Sequence, residues 1–296
     1  MSGDTLESGP KTVKLCMDKQ LPQSLWLEAA ERAIIENAEN APSGQVDAER
    51  KLGITSGARE TFGAVLTGKK WQNGRVLRVK HLNGDPAIHA HVERFAKQWE
   101  AFANISFSFV PDADAEIRIS YSGDNESWSY IGTDALALSP PEETMHYGWL
   151  TVDTSEEEVR RVVLHEFGHA LGMIHEHQHP GVAIEWNKDA VYQEYARKGW
   201  MKAAVDSNLF ARISAHETQF DAYDPESIMH YPVPPEFVTD GREIGWNTEL
   251  SAGDRAFIAR MYPKVAPAAA FPASASPAGQ PSPGGPDIQL HWRNRA

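Results

Sequence analysis

The chain has 296 residues, 41% of them apolar and 23% charged, and a formal net charge of −13. That length allows one or two domains with a sizeable core, and the acidic balance disfavours nucleic acid or an anionic membrane as a partner. The single cysteine, Cys16, excludes an intrachain disulfide, and no apolar run approaches the ~18–20 residues of a spanning helix.

The first ten residues carry neither a basic nor an apolar region, so no secretory signal peptide is expected. Three expectations stay open: the protein stays in the cytoplasm, leaves by a signal-independent route, or is written in this sequence without its leader. Residues 1–65 read as an N-terminal extension. Within it, residues 22–40 show a helical pattern, with Leu25, Ala29, Ala33 and Ile34 on one side, broken by Ala41-Pro42-Ser43-Gly44. Two roles are open for the extension: a small helix packed on the surface, or a pro-segment that covers an active site.

Trp71-Gln72-Asn73-Gly74 and Asn83-Gly84-Asp85-Pro86 are turns that flank a strand over 75–81. From 87 to 103 the pattern is helical, with Ile88, Val92, Phe95, Ala96 and Trp99 on one face, followed by strands over 105–110 and 116–121. This order predicts a mixed sheet with a helix packed behind it. Residues 127–132 and 144–152 read as short strands and loops near the sheet edge, and His146 as structural. Ser155 with Glu158 three residues on is a capping-box start. The helix it opens runs an apolar stripe through Val159, Val162, Val163, Phe167 and Leu171, and its histidines fall on a different arc.

Those histidines carry the chemistry. His165 and His169, four residues apart, lie one turn apart on one helical face and can reach one metal ion at about 2.0–2.1 Å. Glu166 is not needed as a ligand and is placed to take a proton from a metal-activated water. Gly172 can take positive φ, end the helix and bring His175 back as a third ligand. Three protein nitrogens with one open position describe a catalytic zinc site, here one Zn2+ ion. Solvated histidines beside a chance glycine are the bland alternative, but every position of the eleven-residue pattern, and of Ser227-Ile228-Met229-His230-Tyr231 downstream, would have to coincide.

With a metal site in view, Cys16 has two readings. A free thiolate can ligate zinc and silence the site, yet Lys14-Leu15-Cys16-Met17-Asp18 matches no switch motif, and a buried apolar cysteine is the expectation. His177 and His179 lack ligand spacing and read as a polar loop, and His216 as surface. A helix is expected over 187–198 and a closing helix over 251–261. Between them Met229 can sit as a soft floor beneath the histidines. Tyr231 can be a loose metal ligand, a donor to a developing oxyanion, or a packed tyrosine. From 264 to 296 the composition turns to Pro, Ala, Ser and Gly, which predicts a flexible tail.

Together, His165, Glu166, His169, Gly172, His175, the adjoining Glu176 and the Ser227–Tyr231 turn resemble the metzincin metallopeptidases, within them the astacin-like branch. Trp71–Gly74, Ser127–Gly132 and Tyr147–Leu150 are similar to bacterial members. The resemblance covers about residues 66–263. It implies an α+β, two-lobed catalytic domain: a twisted mixed sheet and the metal-binding helix above, a mainly helical and irregular lobe below. It implies a zinc endopeptidase acting on proteins or peptides, with substrate antiparallel to an edge strand and Tyr231 as a tyrosine that binds zinc at rest and swings away. It also implies frequent secretion among relatives. Two features depart from the pattern: animal members have disulfides, and their mature N-terminus packs on the acid that Glu176 matches, whereas here an extension precedes the domain. The alternative function is a catalytically silent, zinc-dependent peptide-binding module. A latent protease held off by residues 1–65 is a further one. A monomer is favoured, with the oligomeric state open.

Overall fold

The structure, a computed structural model, describes residues 15–41, 68–111, 114–182, 184–212 and 222–264. The predicted tail and His216 lie outside these residues. Among the described residues six strands form one sheet in the order β1 (Leu15–Asp18), β5 (Glu126–Ser129), β6 (Met145–Tyr147), β4 (Ile117–Tyr121), β2 (Val76–His81), β3 (Ser106–Phe109). Strand β5 runs antiparallel to β6, and every other pairing is parallel.

The strand–helix–strand–strand order predicted for 75–121 is present. In β2, Leu77 and Val79 are buried and Val76 is exposed, the period-two pattern of a half-buried strand. Helix α2 (Pro86–Ala96) starts where Asp85 accepts the Ala87 N–H and Pro86 presets the first turn. It packs Ile88, Val92, Phe95 and Ala96 into the core. Helix α3 (Glu156–Ala170) sends Val159, Val162, Val163 and Phe167 into the same core, and Phe107 meets Phe167 edge-on at 4.9 Å. Truncating such an aromatic to alanine costs about 3–5 kcal/mol.

The second lobe has its own apolar cluster, in which Val191 and Tyr195 of α4 (Lys188–Arg197) meet Val182, Val205, Leu209 and Phe237. Helix α5 (Ala252–Met261) closes the domain, with Ile258 buried.

Three expectations need correcting. No strand was foreseen in the extension, yet residues 15–18 form the sheet's terminal strand, so β5 is covered rather than marginal. A pattern of four residues is too short to register as strand without its partner. Ser155 caps α3 through the Glu158 N–H, but the Glu158 carboxylate turns instead to Arg161 and Trp149, so only half the capping box forms. The loop over 177–179 is buried, not solvated: His177 hydrogen-bonds the Asn208 carbonyl at 2.8 Å and stacks on Tyr231.

Candidate metal centre

Helix α3 ends with a defined stop. Gly172 takes φ +97°, its N–H donates to the His169 carbonyl at 2.8 Å, and the Met173 N–H donates to the Gly168 carbonyl at 2.9 Å. This paired closure is the Schellman arrangement, and a left-handed residue is what it needs. The neighbouring carbonyls, which have no helical partner, are taken by Trp71 Nε1 on Ala170 and the Tyr262 hydroxyl on Leu171. Pinned there, the chain reverses and delivers His175.

The three imidazoles meet. His165 Nε2 lies 3.1 Å and His169 Nε2 3.0 Å from His175 Nε2, and all three residues are buried. An ion about 2.0–2.1 Å from each nitrogen of a tetrahedral set would space them by roughly 3.3 Å. The outer nitrogens fix two of the tautomers: His165 Nδ1 donates to the Ile228 carbonyl at 2.8 Å, and His169 Nδ1 to the Met173 carbonyl at 2.9 Å. Their Nε2 lone pairs then point inward, as metal-binding histidines require. Burial, then the facing imidazoles, holds His165 and His175 well below the ordinary histidine range, which keeps them neutral. These donors fit a single zinc ion, and the converging lone pairs are otherwise mutually repulsive.

The turn below is fixed by a residue the sequence reading passed over. Asp254, at the start of α5, accepts from the Ser227 hydroxyl (2.7 Å), the Ile228 N–H (2.8 Å) and the Ser251 N–H (2.9 Å). It completes a capping box with Ser251. The Ser251-x-x-Asp254 spacing was the available signal. By holding Ile228, Asp254 also holds the carbonyl that orients His165. Met229 is fully buried; a Cβ on Gly168 would lie 2.4 Å from its sulfur, so glycine lets the turn press against the helix. Glu176, next to His175, accepts the Asp224 N–H at 2.8 Å, and burial raises its pKa to about 7.

Glu166 is fully buried beside the cluster. Cys16 Sγ, a His165 nitrogen and a Glu166 carboxylate oxygen lie within 4.8 Å of one another. The Tyr231 hydroxyl donates to the Cys16 carbonyl, and its ring packs 4.2 Å from that of His175. The expected packed cysteine is therefore buried, but at the chemical centre: burial, then the Glu166 charge, pushes its thiol pKa well up. A cleft of about 450 Å³ opens alongside, lined by Cys16, Arg161, His165, Tyr231 and Trp246 among others. Arg161 is clamped by Glu158 at 2.8 and 2.9 Å and lies 4.1 Å from the Trp246 ring centre. Of the predicted site residues, His165, His169, His175, Glu166 and Tyr231 all come together, whereas His146 stands apart with Ser120 and Asp124.

A sheet above, a histidine helix closed by a glycine bend, and a methionine turn beneath define a metal-dependent peptidase. Comparison with known proteins narrows the class: the chain matches the astacin peptidase family over residues 65–262. Two solved structures of myroilysin are similar. One is 46% identical, covers 67% of this chain and 97% of that one, and has a TM-score of 0.65. The other is 45% identical over 66% and 86%, with a TM-score of 0.54. No protein with a curated description matches. The chain belongs to the astacin family, and it is a hydrolase, a zinc metalloendopeptidase with the α+β metzincin fold.

Proposed function

We propose that this endopeptidase cuts peptide bonds with Glu166 as general base, and that residues 15–18 hold it in a closed form. His165, His169 and His175 would hold one zinc ion, and Cys16 Sγ lies within 4.8 Å of a His165 nitrogen and a Glu166 carboxylate oxygen at its margin. When bound, zinc supplies a Lewis acid that lowers the pKa of a water towards about 7 and polarises the scissile carbonyl. Glu166 accepts the proton of the attacking water and passes it to the leaving amine. The Tyr231 phenol, once released from the Cys16 carbonyl, can donate to the developing oxyanion. The observation that carries this reading is the convergence of three neutral imidazole nitrogens within about 3 Å beside a buried carboxylate.

A second observation favours the closed form. Strand β1 lies on β5, the edge an extended substrate would use, and runs parallel to it. A substrate is expected antiparallel, so β1 presents its peptide bonds in the reverse sense and covers the site without being cut. The test is Glu166→Gln, compared with Glu166 both in the full chain and on a Cys16→Ser background. Zinc content is expected to stay at one per chain while casein cleavage falls about 10²–10⁴-fold. Unchanged cleavage would remove Glu166 from its role.

A further inference from the structure

We propose that residues 15–41 are a separable inhibitory peptide: the face that holds them keeps them bound after the chain is cut between 42 and 67. The proposal rests on the closed-form reading above and concerns what holds that form together.

Among the described residues, three sets of contacts secure the segment. The first is the ladder of β1 on β5, registered from Leu15 opposite Glu126 to Asp18 opposite Ser129. The second is apolar. Leu21 and Ala29 are buried in a cluster with Trp128, Tyr130, Ala137 and Leu138. The third is polar and lies just beyond α1 (Trp26–Glu36). Asn37 Nδ2 donates to the Trp71 carbonyl at 3.0 Å, and Asn40 Nδ2 to the Lys70 carbonyl at 2.8 Å. In return Asn40 Oδ1 accepts the Lys70 N–H at 2.9 Å. Both asparagines are buried, so these amide pairs are shielded from water while the segment is docked.

The same end of the segment shows why a cut is tolerated. The Gly68 N–H donates to the Asn40 carbonyl at 2.9 Å, and a Cβ there would meet Asn40 Oδ1 at 2.9 Å. The chain therefore leaves at 41 and returns at 68 in the same place. Covalent continuity adds effective concentration to the docked state, and a cut removes it. A ladder, an apolar cluster and buried amide pairs remain, and together they are expected to hold the peptide with a dissociation constant below about 1 µM. Opening the site then needs a second event, such as degradation of the released end or competition by substrate for β5.

The test uses the full, zinc-loaded chain with a site-specific protease sequence placed between 42 and 67. After complete nicking, verified under denaturing conditions, the protein is run by size exclusion at about 1 µM and assayed on casein. The N-terminal peptide is expected to co-elute, with activity under about one tenth of that of the same nicked protein carrying Leu21→Asp, from which the peptide should separate. Asn40→Ala serves as the second releasing variant if Leu21→Asp does not fold. Separation of the unsubstituted peptide on nicking overturns the proposal. Co-elution together with full casein turnover upholds the docking and instead overturns the blocking role of β1.

Discussion

The catalytic helix with its methionine turn, and the N-terminal segment, meet at one point and are built on different logic. In the first, local spacing does the work: a helical turn, a glycine bend and a capped turn bring His165, His169 and His175 together. In the second, nothing local is informative. Cys16 reaches the site only because β1 pairs with β5, more than a hundred residues away. Chemistry is written in short-range pattern here, whereas the control proposed for it rests on a long-range pairing.

Substitutions at the two residues nearest the shared point should move activity in opposite directions. Glu166→Gln is expected to lower turnover about 10²–10⁴-fold in any background, which also separates an active enzyme from a silent binding module. Cys16→Ser in the full chain should raise casein cleavage at least about tenfold, since a 1.4 kcal/mol loss of blocking already gives that factor. A full chain as active as Cys16→Ser would erase the contrast.

A packing change sharpens the comparison on the catalytic side. Glycine to alanine inside a helix ordinarily stabilises by up to about 1 kcal/mol. Gly168→Ala should do the reverse, costing about 1–3 kcal/mol in urea unfolding. The added methyl would lie 2.4 Å from the sulfur of Met229, which is fully buried and flanked by Trp99.

The smallest effect belongs to neither region. His81 stacks on His89 at 3.8 Å and contacts the Tyr121 hydroxyl through Nδ1. Burial, then the His89 charge, lowers its pKa to about 3 from an ordinary 6.5. Between those values the unfolded chain binds the extra proton, so the stabilisation is complete above pH 6.5 and fades as pH falls. Discounted for partial exposure, this amounts to about 1 kcal/mol between pH 7 and pH 5. His81→Gln should therefore lose about 2–4 °C less Tm over that interval than the unsubstituted chain.

How far the sequence reads follows the same division. The order of β2, α2, β3 and β4 was legible because Leu77 and Val79 alternate and Ile88, Val92 and Phe95 recur at helical spacing. The three converging histidines were legible because their geometry is a property of one helix and one glycine. Asp254 was legible in principle, since its capping spacing is local, but its second task, holding Ser227 and Ile228, depends on a contact 26 and 27 residues away. The burial of His177 and the place of Cys16 were not legible. Each depends on a neighbour, Asn208 or β5, that no period in the chain announces.

X-ray absorption at the zinc edge of the full chain tests both regions in one measurement. Three imidazole nitrogens at about 2.0–2.1 Å and one sulfur at about 2.3 Å are expected, with the sulfur alone lost in Cys16→Ser. A shell with fewer than three imidazoles, or one without sulfur in the full chain, would contradict the shared centre described here.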